Sequence, residues 1–369
     1  MKLAETKRIA REHTSSVCSL SIDTLNYRYL LSAGADTSVQ LFDLDIYAQS
    51  DNGVRKIESA QHISRGSGHT RMISSIEWYP VDNGMFSTAS FDHTLRVWDT
   101  SEMTEACQFD FECRVHNHKM SPTGAHALVA AASESAHVRL CDLRTGAFAQ
   151  SLMVSQAGSN VVAWSPTQPS VLVSGGNDGI PKLWDIRQTR SHLLNFGADA
   201  LYSHKGGLNG LLFTEDGQRL ISTGADRHVY VWDVNTPQSP ITDAACNSGQ
   251  STTTTTTRNT GCGAVNSCEM ALTAAVDGTT GLEVLFRPCG DTTVSATDIT
   301  SGRQLALLDG HFAPTMCAAW RPGHKELYTS GADSNVLIWC LPVRETFSGD
   351  QAQVRADCWS ESEASEMYL

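Results

Sequence analysis

Serine or threonine, histidine and aspartate recur together in this sequence, and a tryptophan accompanies them. Three sets are complete: His69/Thr88/Asp92/Trp98, His204/Ser222/Asp226/Trp232 and His311/Thr329/Asp333/Trp339. In each set the hydroxyl stands four residues before the aspartate and the tryptophan six residues after it. Ser, His and Asp could form a hydrolytic triad, but an active site is normally built once in a domain. A set that recurs along the chain is therefore interpreted as structural.

The four side chains can satisfy one another in a buried network. An indole N–H only donates a hydrogen bond and a carboxylate only accepts one, whereas a hydroxyl and a neutral imidazole do both. A chain of Trp, Ser or Thr, His and Asp leaves no polar group unpaired, which makes its burial tolerable. We therefore predict one such tetrad in each complete unit.

The aspartate position and the residue six places later define a repeat of seven units. The pairs are Asp36/Phe42, Asp92/Trp98, Ser135/Cys141, Asp178/Trp184, Asp226/Trp232, Asp291/Thr297 and Asp333/Trp339. Trp98, Cys141 and Trp184 follow one another at intervals of 43 residues. This period with Trp-Asp signatures is that of the WD repeat, which forms one four-stranded propeller blade per unit. The sequence predicts an all-β, seven-bladed WD-repeat β-propeller over residues 1–343.

Composition narrows the function. The net charge of −13 and the pI of about 5.4 argue against broad contact with a nucleic-acid backbone, which needs a basic stripe. The sequence contains no run of 18 apolar residues, so it predicts no membrane span, and residues 1–11 lack the apolar core of a secretory signal. The 11 cysteines contain no C-x-x-C pair, so we expect reduced thiols, no metal and no cofactor.

Several segments are expected outside the regular repeat. Residues 45–68 are polar, and residues 236–267, with threonines at 252–257, are expected to form a flexible insertion between blades 5 and 6. Residues 344–369 read as an acidic disordered tail in which Trp359 is either a tether onto the propeller or a partner contact. Residues 3–10 are the candidate for the strand that closes the last blade.

Some stretches are more particular than the repeat. They are Glu77-Trp78-Tyr79-Pro80, Lys119-Met120-Ser121-Pro122 and Asn335-Val336-Leu337-Ile338-Trp339. With these motifs the chain resembles the Cockayne syndrome A family of WD-repeat substrate receptors of cullin-RING ubiquitin ligases. The resemblance implies a non-catalytic subunit that acts in the nucleus in transcription-coupled nucleotide-excision repair. It also implies three partners: a β-propeller adaptor, a Cockayne syndrome B-type translocase and stalled RNA polymerase II, with no direct nucleic-acid contact and no membrane.

The resemblance also assigns an adaptor-docking motif, Trp-Asp-x-Arg. It stands here as Trp184-Asp185-Ile186-Arg187, and Arg144 occupies the matching place in the preceding unit. The alternative for either arginine is an ion pair within the propeller. Family members carry a helical arm before the propeller, for which residues 1–11 are too short, so the chain is a shortened form or docking rests on this motif alone. Phe91 and His93 are candidates for a substrate face, although Phe91 could equally be packing.

Two other classes of function compete with the ligase receptor. A generic WD-repeat scaffold in another nuclear or signalling complex is the alternative to the ligase receptor. An enzyme is disfavoured because the sequence has no Gly-rich phosphate loop, nucleophile elbow or metal-binding cluster.

Overall fold

The computed structural model describes residues 1–4, 7–49, 54–156, 158–188, 191–197, 202–245, 271–272 and 283–340. The expected tail at 344–369, the threonines at 252–257 and most of the expected 236–267 insertion lie outside these residues. Within them the regular secondary structure is β-strand, apart from a short 3-10 helix at Pro322–His324.

The strands of the first half are short, and most of them pair antiparallel with a neighbour in sequence. They are β1 (Lys2–Leu3), β2 (Lys7–Ile9), β3 (Val17–Ile22), β4 (Tyr29–Gly34), β5 (Val39–Asp43), β6 (Ala48–Gln49), β7 (Arg55–Ile57), β8 (Ser59–Ile63), β9 (Ile73–Trp78), β10 (Met85–Ser90), β11 (Thr94–Asp99), β12 (Thr104–Asp110), β13 (Val115–Met120), β14 (Leu128–Ser133), β15 (His137–Asp142) and β16 (Ala147–Met153).

The second half continues in the same manner. Its strands are β17 (Ser159–Trp164), β18 (Val171–Gly176), β19 (Lys182–Asp185), β20 (Leu194–Asn195), β21 (Leu208–Phe213), β22 (Arg219–Gly224), β23 (His228–Asp233), β24 (Thr242–Ala245), β25 (Ala271–Leu272), β26 (Val284–Pro288), β27 (Thr293–Asp298), β28 (Gln304–Asp309), β29 (Thr315–Arg321), β30 (Glu326–Gly331) and β31 (Val336–Cys340).

These strands form seven four-stranded sheets, which are the blades of a propeller. Their orders are β3-β4-β5-β8, β9 to β12, β13 to β16, β17 to β20, β21 to β24, β25 to β28, and β29-β30-β31-β1. The first strands of neighbouring blades contact one another, as β29 does with β3 and β3 with β9, so they surround the centre of the ring. The predicted seven-bladed WD-repeat fold is confirmed.

The ring is closed by the N-terminal strand. β1 pairs antiparallel with β31, with Lys2 opposite Cys340 and Leu3 opposite Trp339. The amide of Ala4 extends this pairing by donating to the carbonyl of Ile338 at 2.8 Å. The closing strand is thus shorter than the candidate segment 3–10. Residues 7–9 of that segment form β2 and enter a different sheet, in which β2 runs parallel to β7 and β7 pairs with β6.

The polar segment 45–68 is not a simple connection. It contains β6 and β7, and its last part is β8, which pairs with β5 as the outer strand of the first blade. The buried side chains of Ile57 and Ile63 fix these strands against the ring. Composition hid them because their other positions are polar and exposed, which is normal for an outer strand.

Apolar side chains fill the space between blades. One cluster joins the first two blades through Leu31, Trp78, Phe86 and Trp98, each at most 3% exposed. Full burial of a large apolar side chain stabilises a fold by about 1.5–3 kcal/mol. The blades therefore hold one another mainly by packing. Within the described residues no helix is long and apolar enough to cross a membrane.

The antiparallel strand order gives the ring two different ends. The turn between the second and third strands of each blade lies at the same end as the link into the next blade. We call this end the His face, because His13, His69, His204 and His311 lie in those links. The opposite end carries the turns after the third strands, with Arg144 and Arg187, and we call it the Arg face.

Candidate functional site

The structure brings together all four members of each complete tetrad. In the fifth blade, His204 Nδ1 lies 3.0 Å from Asp226 Oδ1, and its Nε2 lies 2.9 Å from Ser222 Oγ. Trp232 Nε1 donates to the same hydroxyl at 2.9 Å. Because the indole can only donate, the hydroxyl is left to donate to His204 Nε2, and Nδ1–H then donates to the carboxylate.

The other two tetrads repeat this geometry. His69 lies 2.9 Å from Asp92 and 2.7 Å from Thr88, and Trp98 donates to Thr88 at 2.8 Å. In the seventh blade the matching distances are 3.0 Å for His311–Asp333, 2.9 Å for His311–Thr329 and 2.8 Å for Trp339–Thr329.

Burial separates these tetrads from a catalytic triad. The hydroxyl residues Thr88, Ser222 and Thr329 are 0% exposed. Each hydroxyl is also engaged by both a tryptophan and a histidine. A nucleophile must reach its substrate, and these hydroxyls cannot. The hydrogen bonds of the tetrads hold the links between blades in place.

Two incomplete units keep part of the network. His13 lies 3.2 Å from Asp36 Oδ1 and 2.7 Å from Ser32 Oγ, while Phe42 fills the place of the tryptophan. In the fourth blade Trp184 still donates to Ser174 at 2.8 Å. There Ser155 stands in the place of the histidine, and Asp178 pairs with Lys182 at 2.6 Å instead.

The third and sixth units retain only the turn. Ser135 Oγ accepts the amide of His137 at 3.3 Å, and Asp291 accepts the amide of Thr293 at 2.8 Å. At the tetrad hydroxyl position the sixth unit has Arg287, which is 5% exposed. Loss of the tetrad in these blades leaves their strand pairing intact.

The tetrad carboxylates stay ionised although they are partly buried. Burial by itself would raise their pKa. For Asp226, hydrogen bonds from His204 and from the amides of Lys205 and His228 outweigh that effect and lower the pKa to about 2. The pKa values of Asp36, Asp92 and Asp333 are also held below their usual range by their histidines and neighbouring donors.

Two supports of the tetrads escaped sequence reasoning. In the first two blades a hydroxyl two residues after the aspartate bonds both Asp and His, as Thr94 does at 2.7 Å and 3.2 Å and as Ser38 does. In the first, fifth and seventh blades a glycine two residues before the aspartate makes room for the ring, and a Cβ on Gly224 would lie 2.5 Å from His204 Nδ1. The fixed spacing of both from the aspartate was a signal that could have found them.

The tetrad aspartate also fixes the backbone on the His face. In four blades it accepts the amide of the residue that follows the histidine: Thr14 at 2.8 Å, Thr70 at 3.0 Å, Lys205 at 2.8 Å and Phe312 at 3.2 Å. All four side chains are exposed. The network thus holds four equivalent positions of the His face in place.

On the Arg face, the two predicted docking arginines differ. Arg187 forms a bidentate ion pair with Asp185, with Nε–Oδ1 at 2.9 Å and Nη2–Oδ2 at 2.6 Å, yet its side chain is 73% exposed. This hydrogen bonding lowers the pKa of Asp185. Arg144 is exposed, and its amide donates to Asp142 at 2.9 Å. Trp184 is buried and belongs to the core.

Phe91 belongs to the packing rather than to an exposed face. It is 8% exposed and meets His116 edge-on at 5.5 Å, with the Arg114 guanidinium 5.6 Å from its ring centre. His93 is partly exposed in the left-handed backbone region, with φ 73°. Within the described part of the chain, no group of three or more His, Cys, Asp or Glu residues is placed to hold a metal ion.

Family comparisons agree with this architecture. The model described as WD domain, G-beta repeat matches residues 5–43, 61–99 and 302–340. The chain is a seven-bladed WD-repeat propeller. WD-repeat propellers are generally non-catalytic scaffolds. A second model, described as nucleolar protein 10-like, N-terminal domain, matches residues 118–261 of this propeller.

Curated relatives cover the propeller to different extents. WD repeat-containing protein ATCSA-1 of Arabidopsis thaliana is 28% identical over 98% of this chain and 94% of its own length. Radiation-sensitive protein 28 of Saccharomyces cerevisiae is 25% identical over 45% of the chain and 38% of its own length. The ribosome biogenesis protein WDR12 homolog of Drosophila mojavensis is 27% identical over 50% of the chain and 44% of its own length. Further relatives carry the same ribosome-biogenesis description.

These matches correct the functional assignment made from short motifs. Assignment to the Cockayne syndrome A family of ligase receptors was wrong, because the nucleolar protein 10-like model and several ribosome-biogenesis relatives match the propeller instead. The predicted partners are therefore wrong as well, namely the cullin-RING adaptor, the Cockayne syndrome B-type translocase and stalled RNA polymerase II. The predicted role in DNA repair is also wrong. The alternative, a WD-repeat scaffold in another nuclear complex, fits the matches better.

Proposed function

We propose that this propeller is a non-catalytic scaffold of a nuclear assembly that takes part in ribosome biogenesis. The observation that carries the proposal is the nucleolar protein 10-like match over residues 118–261, together with relatives described as ribosome biogenesis proteins. The chain spans less than half the length of those ribosome-biogenesis relatives, so the proposal concerns the propeller as a binding module.

The surface of the ring suits a scaffold. Its polar networks are buried and hold the links against the blades, whereas Thr14, Thr70, Lys205 and Phe312 on the His face and Arg144 and Arg187 on the Arg face are exposed. Arg187 offers a guanidinium that Asp185 holds in place while most of the side chain faces solvent. A held guanidinium can bind a carboxylate or phosphate of a partner at low entropic cost. Arg187 and Arg144 therefore remain our predicted docking residues, now for a ribosome-assembly partner.

Affinity purification of the tagged full chain tests the function. We expect ribosome-assembly factors to co-purify, and we expect depletion of the protein to cause precursor ribosomal RNA to accumulate. Normal precursor levels after depletion, with co-purification of an unrelated complex, would show that the protein acts elsewhere. Localisation of the tagged chain checks the nuclear assignment separately.

The docking residues can be tested in the same material. Arg187→Glu reverses the exposed charge, and we expect it to reduce recovery of the assembly while leaving the melting temperature nearly unchanged. Lys56→Glu is a matched control, because Lys56 is a half-exposed cation in the connection after β5 of the first blade, whereas Arg187 follows β19 of the fourth. Equal recovery with Arg187→Glu and Lys56→Glu would remove Arg187 from the proposal.

A further inference from the structure

An exposed aromatic ring stands on the His face at a place where the backbone is fixed. Phe312 is 90% exposed, although it directly follows the buried tetrad residue His311. Its amide donates to Asp333, and Asp333 is itself bonded to His311. A large apolar side chain held in solvent by a rigid backbone is a typical anchor for a binding partner, because little conformational entropy is lost when it binds.

Exposed cations lie on the same face in the fifth blade. Lys205 occupies the position equivalent to Phe312, and its amide is held by Asp226 in the same way. Arg227 follows that aspartate in the adjoining turn and is also exposed. These cations stand out on a chain whose net charge is −13. The His face therefore combines an aromatic anchor with local positive charge, which fits an acidic segment that contains an aromatic residue.

The chain itself carries such a segment outside the described residues. Residues 357–369 contain Asp357, Trp359, Glu361, Glu363 and Glu366, and no lysine or arginine. We propose that this acidic segment binds the His face of its own propeller, with Trp359 against Phe312 and its carboxylates toward Lys205 and Arg227. The proposal is independent of the role in ribosome biogenesis.

Length and tethering favour the chain's own segment over a separate peptide. The described chain ends at Cys340 in the seventh blade, which is the blade of Phe312. The 18 residues from 341 to 358 can span roughly 60 Å when extended. The segment has to pass from the Arg face, where β31 ends, to the His face. That distance is about the length of a five-residue strand such as β31, ~17 Å, and the tether exceeds it by far. Joining the segment and its surface in one chain also gives an effective concentration of about millimolar, so a modest patch is sufficient.

Charge argues for the same location. An acidic segment is repelled by most of an acidic propeller, so its binding is restricted to places where cations are exposed. Exposed ion pairs are screened by salt over about 10 Å at 0.1 M ionic strength. The bound state should therefore be weakened by salt, while the aromatic contact persists. A protein partner for the His face would have to displace the segment.

Photo-cross-linking of the full chain tests the proposal. The probe is p-benzoylphenylalanine in place of Trp359, and cross-linked peptides are identified by mass spectrometry. We expect cross-links within one chain to the peptide that contains Phe312. Phe312→Ser should lower their yield by roughly fivefold or more, because a central aromatic anchor carries much of the binding energy. Lys205→Glu should also lower the yield.

Two control variants make the result specific. Phe148 is a 40% exposed aromatic on the outer strand β16, so Phe148→Ser removes a comparable ring away from the His face. Lys56→Glu reverses a half-exposed charge in β7. Both should leave the yield unchanged. Cross-links between two chains would assign the His face to a second copy and overturn the proposal, and cross-links elsewhere or none would also overturn it.

Discussion

Arg321 and Asp45 lie 276 residues apart in the sequence and form an ion pair of 2.7 Å between Nη2 and Oδ1. The Arg321 side chain is 1% exposed, and its Nε donates to the carbonyl of Tyr27 at 2.6 Å. Glu326 accepts from Arg321, from Tyr328 and from Lys7 of β2. One guanidinium thus joins the last blade, the first blade and, through Glu326, the N-terminal segment.

Removal of this guanidinium should open the seam between the seventh and first blades. Arg321→Leu leaves the buried Glu326 without one of its cations, and we expect a loss of about 3–5 kcal/mol in the free energy of unfolding. Lys56→Met is the control, because the Lys56–Glu58 pair is exposed and should contribute less than about 1 kcal/mol. Chemical denaturation of both variants measures the difference. A loss in Arg321→Leu no larger than in the control would contradict a role in ring closure.

The tetrads should contribute more to stability than the altered unit of the fourth blade. Asp226→Ala leaves His204 Nδ1 and the amides of Lys205 and His228 without their acceptor, and should cost about 2 kcal/mol or more. Asp178→Ala is the matched change where no histidine is present, and Asp178 Oδ2 pairs with Lys182 instead. We expect a clearly smaller fall in melting temperature for Asp178→Ala. Equal falls in melting temperature would mean that the tetrad adds no stability beyond that of the turn.

Acid should weaken the propeller through the tetrad carboxylates. A carboxyl with a lower pKa in the folded state adds stability above its unfolded pKa and loses it as the pH falls through the folded pKa. For Asp226 that window runs from its ordinary value of 3.8 down to about 2. The melting temperature should therefore fall as the pH drops from about 4 to about 2. The difference in melting temperature between wild type and Asp226→Asn should narrow over the same pH range. A constant difference would argue against this linkage.

Room for the histidine ring can be tested with two glycines. A Cβ at Gly224 would lie 2.5 Å from His204 Nδ1 and 2.8 Å from Asp226 Oδ1, so Gly224→Ala should cost about 1–3 kcal/mol. At Gly323 a Cβ would meet nothing within 4 Å. Gly323→Ala should therefore leave the melting temperature nearly unchanged. If Gly224→Ala were equally neutral, the tetrad would have to be looser than its distances indicate.

The fold and the tetrads could be predicted because both are written into residue types at fixed spacing. The Arg321 network could not, since it depends on ring closure that brings residues 276 positions apart together. The short motifs misled the functional assignment for a physical reason. Trp78 is 3% exposed and donates to the Ser21 carbonyl at 3.1 Å, and Ser121 is 2% exposed. Such residues report how blades pack, and packing is shared by propellers with different partners.

The pairing of β1 with β31 has a consequence for biosynthesis. Lys2 is synthesised long before its partner Cys340, which follows every other described residue. Until β31 has been translated, β1 has no strand with which it can close the ring. A nascent chain that stalls before β31 would therefore leave β1 able to pair with a strand of a neighbouring chain.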